Sequence, residues 1–337
     1  MIACVADDGT KPRGVAGELR HDHPPHAEGY SHEAFFYDGS DQFMDGVLSF
    51  VTCALAAREP ILVVLSEPKL AALRARLDGD SANVLFADMG GVGLNPARII
   101  PAWHGFIDAC GGRGQRLWGI GEPIWAGRSA AALVECQRHE ALLNIAFPDV
   151  PFSLLCPYDL SLAPTVLERS RRDHPFVRAG AELTRTAEYV PEDSHAAPVD
   201  DPLPDPPPGA DTLLFSIDNL GDVRALAADV AAMAGLSAGP SADLMLALNE
   251  ICANSVTHGG GHGTLRLWSE AGTVVCEVSD SGRIDDPLAG RRRPHHEAER
   301  GRGLWLANQL CDLTQVRNFS DGCVVRLHMA GGYAGSA

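Results

Sequence analysis

The chain has 337 residues, 45% hydrophobic and 21% charged, a globular composition long enough for two domains. Its formal net charge of −17 opposes contact with nucleic-acid backbones and anionic membranes, so neither is an expected partner. No apolar run approaches the roughly 18 residues that span a bilayer, the N-terminus lacks the order of a signal peptide, and the 9 cysteines contain no Cys-x-x-Cys pair. Those cysteines, Cys53, Cys156, Cys252 and Cys276 among them, read as small buried hydrophobes of a reducing cytoplasm, with no zinc site in their spacing.

Residues 1–29 hold few large apolar groups and read as a disordered tail; the cluster His21, His23 and His26 is solvated on this reading, with metal binding as the alternative. From 30 to 190, short apolar segments at 33–37, 60–65, 83–87, 116–120 and 152–156 read as strands covered on both faces. Helical patterns lie at 41–58, 67–77, 96–111, 129–146 and 160–171. Such alternation predicts an α/β unit with a mostly parallel sheet flanked by helices. The stretch 191–211 is rich in Pro and Asp and predicts an extended, semi-rigid linker.

The second unit, 212–331, changes pattern. A strand at 212–217 precedes helices at 222–234 and 241–257, the latter with Ser241 as N-cap and Asp243 in its first turn. Strands follow at 264–268 and 273–278, then a helix from Gly303 to about 312 and strands at 314–319 and 323–328. The order β-α-α-β-β-α-β-β predicts a two-layer α/β sandwich, with helices on one face of a mixed sheet.

Three short motifs in this unit carry chemistry. Glu250 and Asn254 stand one turn apart on the same helix face. A carboxamide there can offer oxygen to Mg²⁺ and a carboxylate can accept a proton, although an exposed polar face is the commoner fate of such a pair. Asp280-Ser281-Gly282 closes a strand; its carboxylate can accept from an exocyclic amine, and equally the triplet can be a simple turn. Gly301-Arg302-Gly303 opens a helix whose N–H groups and positive dipole end suit a phosphate. No Gly-x4-Gly-Lys-Ser/Thr loop is present in the sequence.

In conjunction, the run Leu248-Asn-Glu250, Asn254, His258-Gly259, then Asp280-Ser-Gly282, then Arg300-Gly-Arg-Gly-Leu304 resembles the Bergerat-fold (GHKL) ATPase domain. It is most similar to the anti-sigma serine kinases. The resemblance implies ATP and Mg²⁺ as cofactors, Glu250 as catalytic base and Asn254 as Mg²⁺ ligand. His258, Asp280, Gly282, Gly301, Arg302, Gly303 and Leu304 would be nucleotide-binding residues. One departure stands out: Ile284 occupies the position of the family's second glycine, a hinge of the lid. The first unit resembles the MEDS sensory domain, a RecA/KaiC-like module, through His32-Glu-Ala-Phe-Phe-Tyr37, Glu140-Ala-Leu-Leu-Asn144 and Cys156-Pro-Tyr158-Asp159.

The resemblances imply a cytoplasmic signalling regulator, an anti-sigma factor acting as a serine/threonine kinase under sensory control. Its partners would be a sigma factor or a STAS-type anti-anti-sigma protein, a small ligand for the first unit, and a second copy of the chain as homodimer. Two alternatives stand beside it: a non-catalytic ATP-dependent binding module, and an atypical sensor histidine kinase. The latter would use Arg138-His139-Glu140 as phosphoacceptor box, a pattern better read as one structural helix. Trp118 and Trp125, near Gly121-Glu-Pro123, either line a ligand crevice or belong to the core.

Overall fold

A computed structural model describes residues 29–111, 115–180, 182–191, 201–294 and 301–331. The expected tail, with His21, His23 and His26, lies outside the described residues apart from Gly29, as do residues 192–200 of the expected linker and Arg300. The chain forms two compact units: Met1–Val92 with Ala102–Ala196, and Gly93–Pro101 with Ala197–Ala337.

The first unit is built on β1 (Ser31–Tyr37), β2 (Ile61–Leu65), β3 (Leu85–Asp88), β4 (Leu117–Gly121), β5 (Phe152–Asp159), β6 (Phe176–Ala179) and β7 (Glu182–Arg185). The sheet order is β3-β2-β4-β5-β1-β6-β7; all neighbours are parallel except β6 and β7. The inner strands are largely buried, and β2, Ile61 to Leu65, is an unbroken apolar run buried throughout. Its helices are α1 (Gly39–Ala57), α2 (Glu67–Leu77), α3 (Met89–Val92), α4 (Ile99–Cys110, in this unit from Ala102 on), α5 (Ala130–Ala146) and α6 (Pro164–Asp173). The hairpin β6–β7 was not expected: its strands are four residues each, and its buried residue is a charged one, Arg178, paired with the wholly buried Glu33.

The second unit runs β8 (Asp211–Ser216), α7 (Leu220–Met233), α8 (Ala238–His258), β9 (His262–Glu270), β10 (Thr273–Asp280), α9 (Arg302–Leu310), β11 (Leu313–Phe319) and β12 (Gly322–Ala330). The element order matches the expectation, but the sheet is antiparallel between all neighbours, in the order β11-β12-β10-β9-β8. The expectation of a mixed sheet fails for a topological reason. Strands β10 and β11 run the same way on either side of one helix, but β12 inserts between them and runs against both. Helix α8 also begins before the expected Ser241, with Ser237 at the N-cap, because Pro240 is tolerated in a first turn. The β9–β10 hairpin closes on Ala271-Gly272, both at positive φ, a two-residue turn that matches strand twist.

One face of this sheet packs on the helices through Leu265, Leu267, Val274, Cys276 and Val278 against Leu244, Leu248, Ile251 and Ala307. Alternation turns Glu277 to the other face. There it accepts from Arg266 at 3.1 Å and from Arg326 at 3.0 Å, its two cross-strand neighbours. Arg326 and Arg317 also donate to the carbonyls of Pro204 and Asp201, so part of the Pro-rich segment is bound to the sheet.

Candidate nucleotide site

Helix α8 sets the site. Its apolar stripe, Leu244, Leu248, Ile251 and Cys252, is buried, which leaves Glu250 half-buried and Asn254 exposed along one edge. The first turn of α9 lies against that edge. Gly303 is buried there; a Cβ on it would come within 2.7 Å of Asn254 Nδ2 and 3.2 Å of Glu250 Oε2. Gly301, the N-cap, is left-handed at φ 84° and provides no side-chain cap. The uncapped, positive end of α9 therefore meets the carboxylate and carboxamide of α8, an arrangement suited to an anion held beside a hard cation.

Asp280 ends β10 next to the C-terminal turn of α8. Its Oδ2 accepts from Ser255 Oγ at 2.5 Å and its Oδ1 from the Gly282 N–H at 2.7 Å. Each oxygen keeps a lone pair for an incoming amine donor. The approach is close: a Cβ on Gly259 would meet the Asp280 carboxyl carbon at 2.4 Å, and one on Gly282 would meet the His258 carbonyl at 3.0 Å. Ser255 follows Leu244, Leu248 and Ile251 along the core-facing stripe of α8. It is buried as that predicts, yet its hydroxyl is what orients Asp280. A Ser one residue after Asn254 on a core-facing position was the available signal.

The remaining expected residues are placed as follows. His258 is the last residue of α8 and exposed; Arg302 is exposed at the start of α9; Leu304 is buried in the core of the unit. The backbone of Ile284 is held at both of its polar groups: its N–H donates to Asn318 Oδ1 at 3.0 Å and its carbonyl accepts from Asn318 Nδ2 at 2.9 Å. A cavity of about 370 Å³ opens beside Asp280, lined by Thr264, Ser279, Ser281, Phe319 and Val324. It shares Asp280 with the expected set and none of the α8 or α9 residues, so the nucleotide geometry rests on the α8–α9 edge and not on this cavity.

In the first unit, Trp118 is core, 3% exposed with its indole N–H on Glu59, whereas Trp125 is partly exposed under Arg128. At the strand ends Glu122 accepts from Tyr37 Oη and Lys69 Nζ, both at 2.6 Å, and burial raises its pKa despite Lys69. His139 is only 1% exposed, which bars it from meeting a nucleotide in this structure.

Residues 31–175 match the family described as MEDS, the MEthanogen/methylotroph, DcmR Sensory domain. Residues 215–329 match the Histidine kinase-like ATPase domain. The chain joins a MEDS domain to a histidine kinase-like ATPase domain. No curated protein matches it. The second match implies ATP binding and supports an enzyme of the kinase or ATPase type; together the two point to a signalling protein. Among the described residues no helix is long and apolar enough to cross a membrane.

Proposed function

We propose that the chain is an anti-sigma-type serine/threonine protein kinase that binds ATP with Mg²⁺ and phosphorylates a sigma-factor regulatory partner of STAS type, under control of its MEDS domain. The observation that supports this best is the meeting of Gly303 with Asn254 and Glu250, which brings a carboxylate, a carboxamide and a helix N-terminus around one point. ATP and its Mg²⁺ would supply the phosphoryl group and neutralise its developing charge. Asn254 would hold the ion through its carboxamide oxygen. Asp280, kept in place by Ser255 and Gly282, would accept from the adenine amine. Glu250 would take the proton of the partner's hydroxyl.

The test is transfer of labelled phosphate from ATP to purified candidate partners. The reading requires transfer that Glu250→Gln abolishes while ATP affinity is retained; transfer undiminished in that variant sinks it. A second reading, sequestration of a sigma factor or its antagonist without phosphorylation, draws support from Ile284, whose backbone is clamped where a hinge glycine is usual. Nucleotide-dependent capture of the partner without transfer would favour it.

A further inference from the structure

Four buried side chains of the MEDS domain meet far from the nucleotide residues in sequence. They are His32 on β1, Glu140 on α5, Cys156 on β5 and His174 just after α6, and their donor atoms lie within 4.8 Å of one another. His32 Nε2 is 3.2 Å from Glu140 Oε2 and 3.4 Å from Cys156 Sγ; His174 Nε2 is 3.3 Å from the same carboxylate oxygen. All four are at most 1% exposed.

The ring tautomers follow from the outer partners. Asn144 donates its Nδ2 to the Asp173 carbonyl at 2.8 Å, which turns its Oδ1 to His32 Nδ1 at 3.1 Å. His174 Nδ1 faces the Ser170 carbonyl at 2.7 Å. Both oxygens only accept, so both Nδ1 atoms carry hydrogen and both Nε2 atoms turn inward. In a neutral ring each Nε2 then bears a lone pair, and both are turned to Glu140 Oε2. A lone pair thus faces a carboxylate in a dry interior, and Glu140 Oε1 and His174 Nε2 make no well-directed hydrogen bond. Such a group is costly unless a cation joins it.

We propose that His32, Glu140, Cys156 and His174 form a binding site for one zinc-like divalent transition-metal ion. Two imidazoles, a thiolate and a carboxylate are a donor set for borderline-soft ions such as Zn²⁺, and not for Mg²⁺ or Ca²⁺. Ligand atoms around tetrahedral Zn²⁺ stand about 3.3–3.6 Å apart given its usual bond lengths, which is the scale of the contacts found. Carbonyl oxygens on both Nδ1 atoms are the outer partners that orient metal-ligating histidines. On binding, Cys156 gives up its thiol proton to solvent and the sulfur joins the metal. The spacing of cysteines could not show this site, because only one of the four ligands is a cysteine and each comes from a different element.

The test is metal analysis of the purified full chain, followed by removal of the metal and titration with Co²⁺. The site predicts one zinc per chain, and a cobalt form with intense tetrahedral d–d bands and a near-ultraviolet thiolate-to-cobalt band. Cys156→Ser should lose that band, and Glu140→Gln should weaken metal affinity at least tenfold. A triple replacement of His21, His23 and His26 by Ala should retain the metal. A wild-type cobalt spectrum without the thiolate band, or a folded wild-type chain that takes up neither ion, would overturn the proposal whatever the variants do.

Discussion

The side-chain amide of Asn318 on β11 makes two hydrogen bonds to the backbone of Ile284, one to its N–H and one to its carbonyl. This pins the segment that leaves the Asp280 turn to the edge strand of the sheet. Ile284 also packs against the core of the unit. Replacing glycine by a branched residue and then holding both its N–H and its carbonyl restrains the position twice. Ile284→Gly should therefore raise phosphate turnover several-fold with ATP affinity nearly unchanged, and Asn318→Ala should move turnover in the same direction. Single-turnover kinetics with labelled ATP checks both.

Ser255→Ala removes the donor to Asp280 Oδ2 without changing the packing volume much. Loss of one hydrogen bond to a charged group is worth about 1.5–3 kcal/mol, so ATP affinity should fall by about tenfold or more. Calorimetric titration with ATP and Mg²⁺ measures it, with circular dichroism to show that the fold is kept.

Gly303→Ala places a methyl group against Asn254 and Glu250 at 2.7 and 3.2 Å. Either α9 withdraws from α8 or the two polar side chains turn away. In both cases Mg²⁺-dependent ATP binding should weaken at least tenfold. Alanine is otherwise a better helix residue than glycine by about 1 kcal/mol, so a drop in binding without a comparable drop in thermal stability separates site disruption from misfolding.

The buried carboxylate of Glu277 serves Arg266 and Arg326 together. Glu277→Ala leaves Arg326, only 5% exposed, without its counter-charge. Removing one partner of a buried pair costs about 3–5 kcal/mol. Urea unfolding of the variant should show a clearly lower midpoint for the ATPase domain.

Burial, then Arg326, lowers the pKa of His328 from 6.5 to about 4. Between those values the unfolded chain binds more protons than the folded one, so stability rises with pH through that window and is lost as pH falls towards 4. The shift corresponds to about 3.4 kcal/mol at most. His328→Gln should flatten the pH dependence of unfolding between pH 4 and 6.5.

Much of this was legible in the sequence because the signals were local. The apolar strands of both sheets, the helix stripes and the order of elements follow from periodicity and turn residues, and the Glu250–Asn254 pair follows from one helical turn. What was not legible depended on encounters between distant segments. Ser255 stands out as a hydroxyl on the core face of α8, but nothing local names its partner 25 positions away. The Arg178–Glu33 pair that explains β6 spans 145 positions. The antiparallel sheet required knowing where β12 inserts, and His32, Cys156 and His174 each look ordinary until three elements bring them to one carboxylate.

The short segment Gly93–Pro101 belongs to the second unit although about a hundred residues separate it from the rest. Within that unit Asn95, wholly buried, donates to the carbonyls of Asn308 and Cys311, and Arg98 donates to the same two carbonyls at 2.8 Å each. These are end carbonyls of α9, which the helix itself cannot satisfy. The segment completes the far end of the helix whose near end faces Glu250 and Asn254. A fragment cut at the Pro-rich segment would therefore be missing a piece of its own fold. It would expose those carbonyls, loosen α9 and lose nucleotide affinity for a reason unrelated to the nucleotide residues. Dissection of this protein into an isolated ATPase half is thus a different molecule from the domain in the intact chain.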